Sequence, residues 1–139
     1  MVVGIRELTV EWGHCDPAGI VFNPRYFEWF DHSTACLFGV AGIPKYDLPK
    51  RFDIIGIPIV DTRAKFMVPS KWGDVLRIES RIIEFKRTSF DVEHQLFKAD
   101  GALAVVGNET RVWAGHHPEQ RGRLKATPIP QEILDLFKA

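Results

Sequence analysis

Within the first forty residues, the spacing of apolar residues changes from the alternation typical of a strand to the spacing typical of a helix. Over residues 4–12 apolar and polar residues alternate, as they do in a half-buried β-strand. Over residues 24–38 the apolar residues recur at helical spacing and form two stripes. The stripes consist of Tyr26, Phe27, Phe30, Leu37 and Phe38, and of Trp29, Ser33, Cys36 and Val40. We therefore predict a strand followed by a helix that is buried on most sides, with a sheet wrapped around it.

Four further strand-like stretches follow this helix, and a short helical segment ends the chain. The Asp100-Gly101 pair is typical of a hairpin, and Lys86-Arg87-Thr88 forms another short reversal. The stretches are residues 54–66, 75–85, 89–99 and 103–115, and the C-terminal helix covers residues 130–137. Strands connected this closely predict a single antiparallel meander. The order of strand, long helix and four strands predicts an α+β fold with a five-stranded antiparallel sheet.

Length and charge limit the classes of protein to consider. The 139 residues fit one domain, 1–139, and an apolar content of 45% is enough for a core. The 18 Lys and Arg residues balance 18 Asp and Glu residues, so no basic excess favours nucleic acid or an anionic membrane. Two cysteines, no secretory leader and no apolar run of about 18 residues predict a cytoplasmic protein without a membrane partner.

No metal-ligand spacing such as Cys-x-x-Cys or His-x-x-x-His occurs, and neither does a P-loop or a dinucleotide-binding glycine pattern. We therefore expect neither a metal nor a cofactor. Any chemistry has to come from the side chains and backbone of the chain itself.

A compact turn motif holds the first candidate for that chemistry. Asp16-Pro17-Ala18-Gly19 has the composition of a type I turn, with Asp first, Pro second and Gly last. Such a turn ends the first strand and holds the Asp16 carboxylate in a defined place. An ionised carboxylate there can act as a nucleophile or as a general base. The residues alone do not choose between these two routes.

The next motif, Asn23-Pro24, is typical of a helix start, because Asn is a favoured N-cap and Pro suits the first helical position. We expect the Asn23 side-chain oxygen to accept a hydrogen bond from the N–H of Arg25 or Tyr26, which leaves the Asn23 backbone N–H free. At the positive end of the helix dipole, that N–H can polarise a carbonyl oxygen. Asp16 and Asn23 together indicate acyl transfer without a Ser-His-Asp triad.

Each of these features also has a plain structural interpretation. Asp16 and Asn23 could belong to an ordinary surface turn and an ordinary capped helix. Cys15 beside His14 could form a nucleophilic pair, but adjacent residues of an extended segment point to opposite faces. We therefore do not expect Cys15 in the same cleft as Asp16. His94 shares the apolar face of its strand, which predicts a core or interface histidine.

A series of motifs connects the chain to a known family. From Asp16 to Phe30 an aspartate, a Pro/Gly turn, a Gly-Ile-Val run, a tyrosine and an aromatic-rich helix follow one another. Three further motifs follow in order, namely Gly56-Ile57-Pro58-Ile59-Val60, Trp72-Gly73-Asp74-Val75-Leu76 and Phe85-Lys86-Arg87-Thr88-Ser89-Phe90. With these motifs the chain resembles, over nearly its whole length, the hotdog-fold acyl-CoA thioesterases, in the branch typified by 4-hydroxybenzoyl-CoA thioesterase.

The resemblance implies a hotdog fold and hydrolysis of acyl-CoA thioesters to free acid and coenzyme A. It implies that Asp16 is the catalytic carboxylate and that a backbone amide at Asn23 polarises the thioester carbonyl. The substrate-binding residues expected on this basis are Asp31, Gly19, Tyr26 and Pro58. The acyl group stays open between an aromatic group such as 4-hydroxybenzoyl, a short or medium aliphatic group, and an acyl group on a carrier protein.

Basic residues stand at the turn before the fourth long strand and near the C-terminal segment. In the family that the chain resembles, basic residues at these places contact the nucleotide of coenzyme A, and Arg suits phosphate through paired hydrogen bonds. We therefore expect Lys86, Arg87, Arg123 and Lys125 to bind the phosphates of coenzyme A.

The same resemblance implies a homo-oligomer, either a dimer or a dimer of dimers that forms a homotetramer. A long edge strand supports this, because its unpaired hydrogen-bonding groups need a partner. Two alternatives to a thioesterase stay open, a hotdog-fold dehydratase and a non-catalytic subunit that binds acyl-CoA or an acyl carrier protein. Dehydratases of this fold usually need a histidine base near the helix start, where this chain has Asp16.

Overall fold

The structure, a computed structural model, describes residues 1–138, and Ala139, the last residue of the predicted domain, lies outside them. The helices are α1 (Pro24–Val40), α2 (Leu48–Phe52) and α3 (Gln131–Lys138). The strands are β1 (Gly4–Thr9), β2 (Ile54–Gly56), β3 (Ile59–Phe66), β4 (Val75–Phe85), β5 (Ser89–Phe97), β6 (Leu103–Val112), β7 (Ala114–His116) and β8 (Leu124–Ala126). The predicted order of one strand, a long helix and further strands is confirmed.

A five-stranded antiparallel sheet forms the body of the protein, in the order β1-β4-β5-β6-β3. The predicted strand number and antiparallel pairing of this sheet are confirmed. The predicted meander is wrong outside β4, β5 and β6, because β1 pairs with β4 and β3 pairs with β6. Residues 67–74 carry the chain from β3 at one edge to β4 near the other edge, and local turn signals do not specify such a connection.

The first strand ends at Thr9 rather than at residue 12. Residues 12–14 form a 3₁₀ turn that closes on itself, with the His14 N–H donating to the Glu11 carbonyl (3.0 Å). The Glu11 N–H in turn donates to His14 Nδ1 (2.9 Å). This local exchange of hydrogen bonds replaces the strand pairing that apolar alternation predicts.

Two of the predicted long strands are divided. The stretch 54–66 breaks at Pro58, which lacks the N–H that a strand ladder requires. The stretch 103–115 splits into β6 and β7 at Trp113. The short strands β2, β7 and β8 form a separate three-stranded sheet that the sequence analysis does not predict.

Helix α1 packs across one face of the main sheet and exposes its other side. Its buried residues are Tyr26, Trp29, Phe30, Ser33, Thr34, Leu37 and Phe38. Of the second predicted stripe, Cys36 is only half-buried and Val40 is 60% exposed. The prediction of burial on most sides is therefore wrong for this chain on its own. Within residues 1–138, neither α1 nor any other helix has the length and apolar content of a membrane span.

The interior between α1 and the sheet has two apolar clusters with a polar layer between them. One cluster contains Tyr26 and Phe30 from the first half of α1, and the other contains Leu37 and Phe38 from its second half. The polar layer consists of Thr34 on α1, Ser80 on β4, His94 on β5, and Glu109 and Arg111 on β6, each at most 2% exposed. Charged groups therefore occupy the middle of the core.

Gly107 on β6 allows α1 to approach the sheet, because a Cβ at this position would lie 2.5 Å from the Phe30 ring. We expect Gly107→Ala to lower the free energy of unfolding by about 1–3 kcal/mol, measured by chemical denaturation. Gly39→Ala is the control, since a Cβ there meets nothing within 4 Å, and it should raise stability by up to about 1 kcal/mol. A Gly107→Ala variant as stable as the wild type would contradict this close approach.

Candidate active site

The Asp16 turn forms as predicted. The Gly19 N–H donates to the Asp16 carbonyl (2.9 Å), and Gly19 has a φ of +83° that favours glycine. The Ala18 N–H donates to Asp16 Oδ1 (2.8 Å) and fixes the side chain over its own turn. The second carboxylate oxygen of Asp16 makes no hydrogen bond within residues 1–138. One oxygen is thus held by the turn, and the other is available to a substrate or a water.

Asp16 lines a depression of about 480 Å³ with aromatic walls. The walls are Trp12 and Trp72, which are 72% and 62% exposed and meet edge to face with ring centres 5.3 Å apart. Cys15 lines the same depression, so the expectation that Cys15 and Asp16 point to different clefts is wrong. The reason is that a 3₁₀ turn precedes Cys15 and a tight turn follows it, so the segment does not alternate like an extended strand.

His14 is not free to activate Cys15. Its Nδ1 accepts the Glu11 N–H, and its ring packs edge-on against Trp29 with ring centres 5.2 Å apart. Within residues 1–138 the Cys15 thiol donates to the Glu11 carbonyl oxygen (3.8 Å) and forms no hydrogen bond with the imidazole. The Cys-His alternative therefore finds no support in the geometry.

Asn23 is the N-cap residue of α1, but its side chain makes no capping hydrogen bond within residues 1–138, so that prediction is wrong. Its backbone already has helical angles (φ −46°, ψ −42°), whereas side-chain capping needs an extended N-cap residue. The Arg25 N–H instead donates to the Phe22 carbonyl (2.9 Å), and the Tyr26 N–H donates to the Asn23 carbonyl (3.1 Å). In the described part of the chain the Asn23 N–H has no hydrogen-bond acceptor, and it stands where the helix dipole is positive.

Asn23 and Tyr26 line a second, smaller depression of about 140 Å³, beside Phe66 on the edge strand β3. Tyr26 is 2% exposed, and its burial raises the pKa of its phenol, an effect partly opposed by a hydrogen bond with Ser70. Asp16 is not among the residues that line this depression. A single chain therefore presents the candidate carboxylate and the candidate amide in two neighbouring depressions.

Asp31 and Pro58 line a third depression, of about 460 Å³, between α1 and the β2–β3 connection. Asp31 Oδ1 accepts a hydrogen bond from Arg111 Nη2 (2.6 Å), and Lys45 Nζ lies 3.9 Å from the same oxygen. The structure thus brings together two predicted substrate-binding residues, Asp31 and Pro58, and sets them apart from Asp16 and Gly19.

The polar layer contains a Ser-His-acid arrangement that the sequence analysis does not predict. Ser80 Oγ lies 2.7 Å from His94 Nδ1, and His94 Nε2 lies 3.4 Å from Glu109 Oε1. These residues are 1%, 0% and 2% exposed, and the Phe30 ring stacks on His94 with ring centres 4.9 Å apart. No substrate can reach this hydroxyl, so the arrangement is a core network rather than a catalytic triad. The prediction that His94 is a core histidine is confirmed.

Glu109 is the centre of this network. Thr34 Oγ1 and Arg111 Nε donate to its Oε1, at 2.6 and 2.9 Å. Burial by itself would raise the pKa of Glu109, but hydrogen bonds from His94 and Arg111, with their charges, outweigh burial and lower the pKa to about 2. In the sequence, this network is indicated by the alternation along β6, because alternation places Glu109 and Arg111 on the same face as Gly107.

The four basic residues predicted to bind phosphate are all exposed, at two places in the fold. Lys86 and Arg87 lie in the turn between β4 and β5, whereas Arg123 precedes β8 and Lys125 lies within it. The C-terminal segment runs beside that turn, since the Ile129 N–H donates to the Arg87 carbonyl (2.9 Å). Within residues 1–138 none of the four side chains forms an ion pair.

Comparison with known proteins identifies the family. The pattern of the thioesterase-like superfamily matches residues 10–137. The chain is 35% identical over 135 residues to a 4-hydroxybenzoyl-CoA thioesterase of Pseudomonas sp. (strain CBS-3), covering 94% of each chain. The solved structure of 4-hydroxybenzoyl-CoA thioesterase from that strain matches with a TM-score of 0.87 and 32% identity, over 98% of this chain and 99% of the other.

A second solved structure, a gentisyl-coenzyme A thioesterase, has a TM-score of 0.81 and 32% identity, over 97% of this chain and 99% of the other. Sequence and fold therefore agree on one assignment, and the predicted resemblance and hotdog fold are confirmed. The chain belongs to the thioesterase-like superfamily of hotdog proteins.

Proposed function

We propose that the protein hydrolyses acyl-CoA thioesters to a free acid and coenzyme A. The observation that carries the proposal is Asp16, which lines an aromatic-walled depression: one oxygen is held by the Ala18 amide, and the other has no partner among residues 1–138. The similar proteins are thioesterases of 4-hydroxybenzoyl-CoA and gentisyl-coenzyme A. We therefore expect an aromatic acyl group that carries a ring hydroxyl.

The direct test is release of thiol from a panel of acyl-CoAs, followed by trapping of free coenzyme A. We expect the highest kcat/KM for hydroxylated benzoyl-CoAs, and lower values for short and medium aliphatic acyl-CoAs. Binding of acyl-CoA without thiol release would favour a non-catalytic subunit. Hydration or dehydration of an acyl chain without thiol release would favour a dehydratase.

Two routes follow from the position of Asp16. In one, its free oxygen attacks the thioester carbonyl, the thiolate leaves, and water opens the mixed anhydride. In the other, the carboxylate takes a proton from a water that attacks the same carbon, the C–S bond breaks, and the coenzyme A thiolate leaves and is protonated. In both, the Asn23 N–H donates to the oxygen on which negative charge develops. Since only the backbone of Asn23 takes part, Asn23→Ser is compatible with either route.

The division of the site over three depressions supports a shared active site between chains. Asp16 and Gly19 line one depression, Asn23 and Tyr26 line the second, and Asp31 and Pro58 line the third. If a second chain adds a strand beside the exposed edge strand β3, the unpaired backbone groups of β3 gain partners. In such a dimer, groups from both chains would contact one substrate. We propose that all six residues contact substrate in a dimer, or in a tetramer of two dimers.

The oligomer is directly measurable. We expect static light scattering at micromolar concentration to give at least twice the mass of one chain, 15.8 kDa. A monomer with full thioesterase activity would contradict the shared site, although it would leave thioester hydrolysis itself intact.

The cysteines support a reducing compartment. Cys15 and Cys36 are free thiols within the described residues. Because structural disulfides belong mainly to oxidising compartments, we propose that the protein acts in the cytoplasm.

We further propose that Lys86, Arg87, Arg123 and Lys125 hold the phosphates of coenzyme A. The balanced total charge supports this, because a basic surface patch then acts locally rather than through the field of the whole protein. None of the four cations has an acidic partner in residues 1–138, so each is available to phosphate.

Arg87→Ala should raise the KM for acyl-CoA more than it lowers kcat. The rise in KM should correspond to a loss of about 0.5–2 kcal/mol in the apparent free energy of binding. This loss should become smaller at higher salt concentration. The comparison substrate is the same acyl group on a bare pantetheine thiol, which has no nucleotide phosphates. Arg51→Ala is the control, because it removes an exposed arginine that pairs with Glu132 elsewhere. Equal losses on both substrates would show that Arg87 does not bind phosphate.

A further inference from the structure

Arg111 forms a rigid three-way connection between the polar layer and the surface. Its Nε donates to Glu109 Oε1 (2.9 Å), and its Nη1 donates to the Ile57 carbonyl (2.9 Å). Its Nη2 donates to Asp31 Oδ1 (2.6 Å). The Arg111 side chain is 2% exposed, whereas the Asp31 side chain is 52% exposed. A buried guanidinium with three hydrogen-bonded partners thus holds one half-exposed carboxylate.

Such an arrangement is costly for a core. Burying an Arg and a Glu removes both from water, and an apolar pair of similar size is often as stable or more stable. A short aliphatic residue at either position would also remove the need for buried partners such as Thr34 and His94. The presence of this costly pair is therefore better explained by what Arg111 does at the surface end, where Asp31 is its only side-chain partner within residues 1–138.

Asp31 places the surface end of Arg111 at a depression. It lines the same depression as Pro58 and Ile57, and Arg111 anchors to the Ile57 carbonyl in the same wall. One guanidinium therefore fixes both the carboxylate and the β2–β3 connection beside it. An ionised carboxylate only accepts hydrogen bonds, so a group lying in this depression is recognised there by a donor such as a hydroxyl.

We propose that Arg111 is a positioning residue that fixes the Asp31 carboxylate in the wall shared with Pro58, and so selects acyl groups with a hydrogen-bond donor on the ring. This inference rests on the proposed thioesterase function and on the substrate contact proposed for Asp31. Arg111 does not touch the reacting atoms, and it acts through Asp31. Lysine cannot replace it, because an ammonium cannot hold three partners in one plane.

The test compares kcat/KM for 4-hydroxybenzoyl-CoA and benzoyl-CoA, which differ only in the ring hydroxyl. In the wild type we expect a preference for the hydroxylated substrate. Asp31→Asn and Arg111→Lys should each lower the ratio by about tenfold, the scale of one lost charged hydrogen bond. The double variant should lower it no further than Asp31→Asn alone, because both changes remove the same contact.

Arg81→Lys is the matched control, since Arg81 pairs with Glu93 on the sheet (2.9 Å) and has no connection to Asp31. It should leave the ratio unchanged. A purely structural role of Arg111 would lower kcat/KM equally for both substrates and leave the ratio as in the wild type, which would overturn the proposal. An unchanged ratio in Asp31→Asn, or no preference in the wild type, would overturn it as well.

If Arg111→Lys is too unstable to purify, Asp31→Glu provides the same measurement without a change in the core. It moves the carboxylate by one methylene, so the ratio should fall, and an unchanged ratio would contradict a fixed position. These outcomes are distinct from failure of the proposed function, which would appear as an absence of thiol release from both substrates by the wild type.

Discussion

Replacing Asp16 with asparagine should lower kcat by at least about a hundredfold while changing the KM for acyl-CoA far less. Asparagine keeps the shape of the side chain, and its amide oxygen can still accept the Ala18 N–H that fixes the turn. What is lost is the charge, and with it the ability to attack a carbonyl or to take a proton from water. Steady-state thiol release and single-turnover rates measure this loss.

The chain offers a closely matched control for this substitution. At the β5–β6 hairpin the Ala102 N–H donates to Asp100 Oδ1 (2.8 Å), the same local contact at the same spacing as in the Asp16 turn. Asp100→Asn makes the identical chemical change in an exposed hairpin and should retain the wild-type rate. Near wild-type hydrolysis by Asp16→Asn would refute the assignment of the catalytic carboxylate.

Removing the Glu109 side chain should lower the free energy of unfolding by about 3–5 kcal/mol. In Glu109→Ala the guanidinium of Arg111 stays buried without its buried counter-charge, and the Thr34 hydroxyl loses its acceptor. Chemical denaturation at equal protein concentration measures the effect, because assembly also contributes to stability.

Glu93→Ala makes the same change on the neighbouring strand, in a pair with Arg81 whose two side chains are 26% and 29% exposed. Solvent screens that pair, so we expect a loss below about 1 kcal/mol. Equal losses in the two variants would mean that the polar layer stabilises the fold no more than this half-buried ion pair.

Acid sensitivity tests the same carboxylate in the intact protein. The pKa of Glu109 is lowered to about 2 in the folded state, from an ordinary value of 4.5. The folded state therefore gains stability from this group above pH 4.5, and it loses that contribution as the pH falls from about 4.5 towards 2. We expect the wild type to lose more stability across this window than Glu109→Ala, which lacks the titrating group.

The elements that sequence predicts well are those specified by neighbouring residues. The alternation in β4, the helical period of α1 and the Asp100-Gly101 hairpin are local signals, and each appears where expected. The place of β3 beside β6 is not local, since it depends on residues 67–74 crossing the sheet. The three-stranded sheet likewise depends on the pairing of β8 with β7, which no turn motif in the sequence predicts.

The candidate site shows the same division between local and distant information. The Asp16 turn is local, and its backbone hydrogen bonds match the prediction from Asp-Pro-x-Gly. The Asn23 cap is also local, but the Phe22 carbonyl takes the bond that the side chain was expected to make. The connection of Asp31 to Arg111 joins residues 80 positions apart, and only the pairing of α1 with β6 reveals it.

The pairing of distant strands also sets the order in which this chain can fold as it is synthesised. Helix α1 leaves the ribosome long before β4, β5 and β6, so its apolar face stays uncovered while most of the chain is still being made. Thr9 of β1 can pair only after Val75 of β4 has been synthesised, and Phe66 of β3 can pair only after Val105 of β6 has been synthesised. A nascent chain that ends before Leu103 has neither the partner of β3 nor the charges of Glu109 and Arg111 in the polar layer. We therefore expect stable folding to begin only after β6 has emerged, and until then the apolar face of α1 stays exposed to solvent.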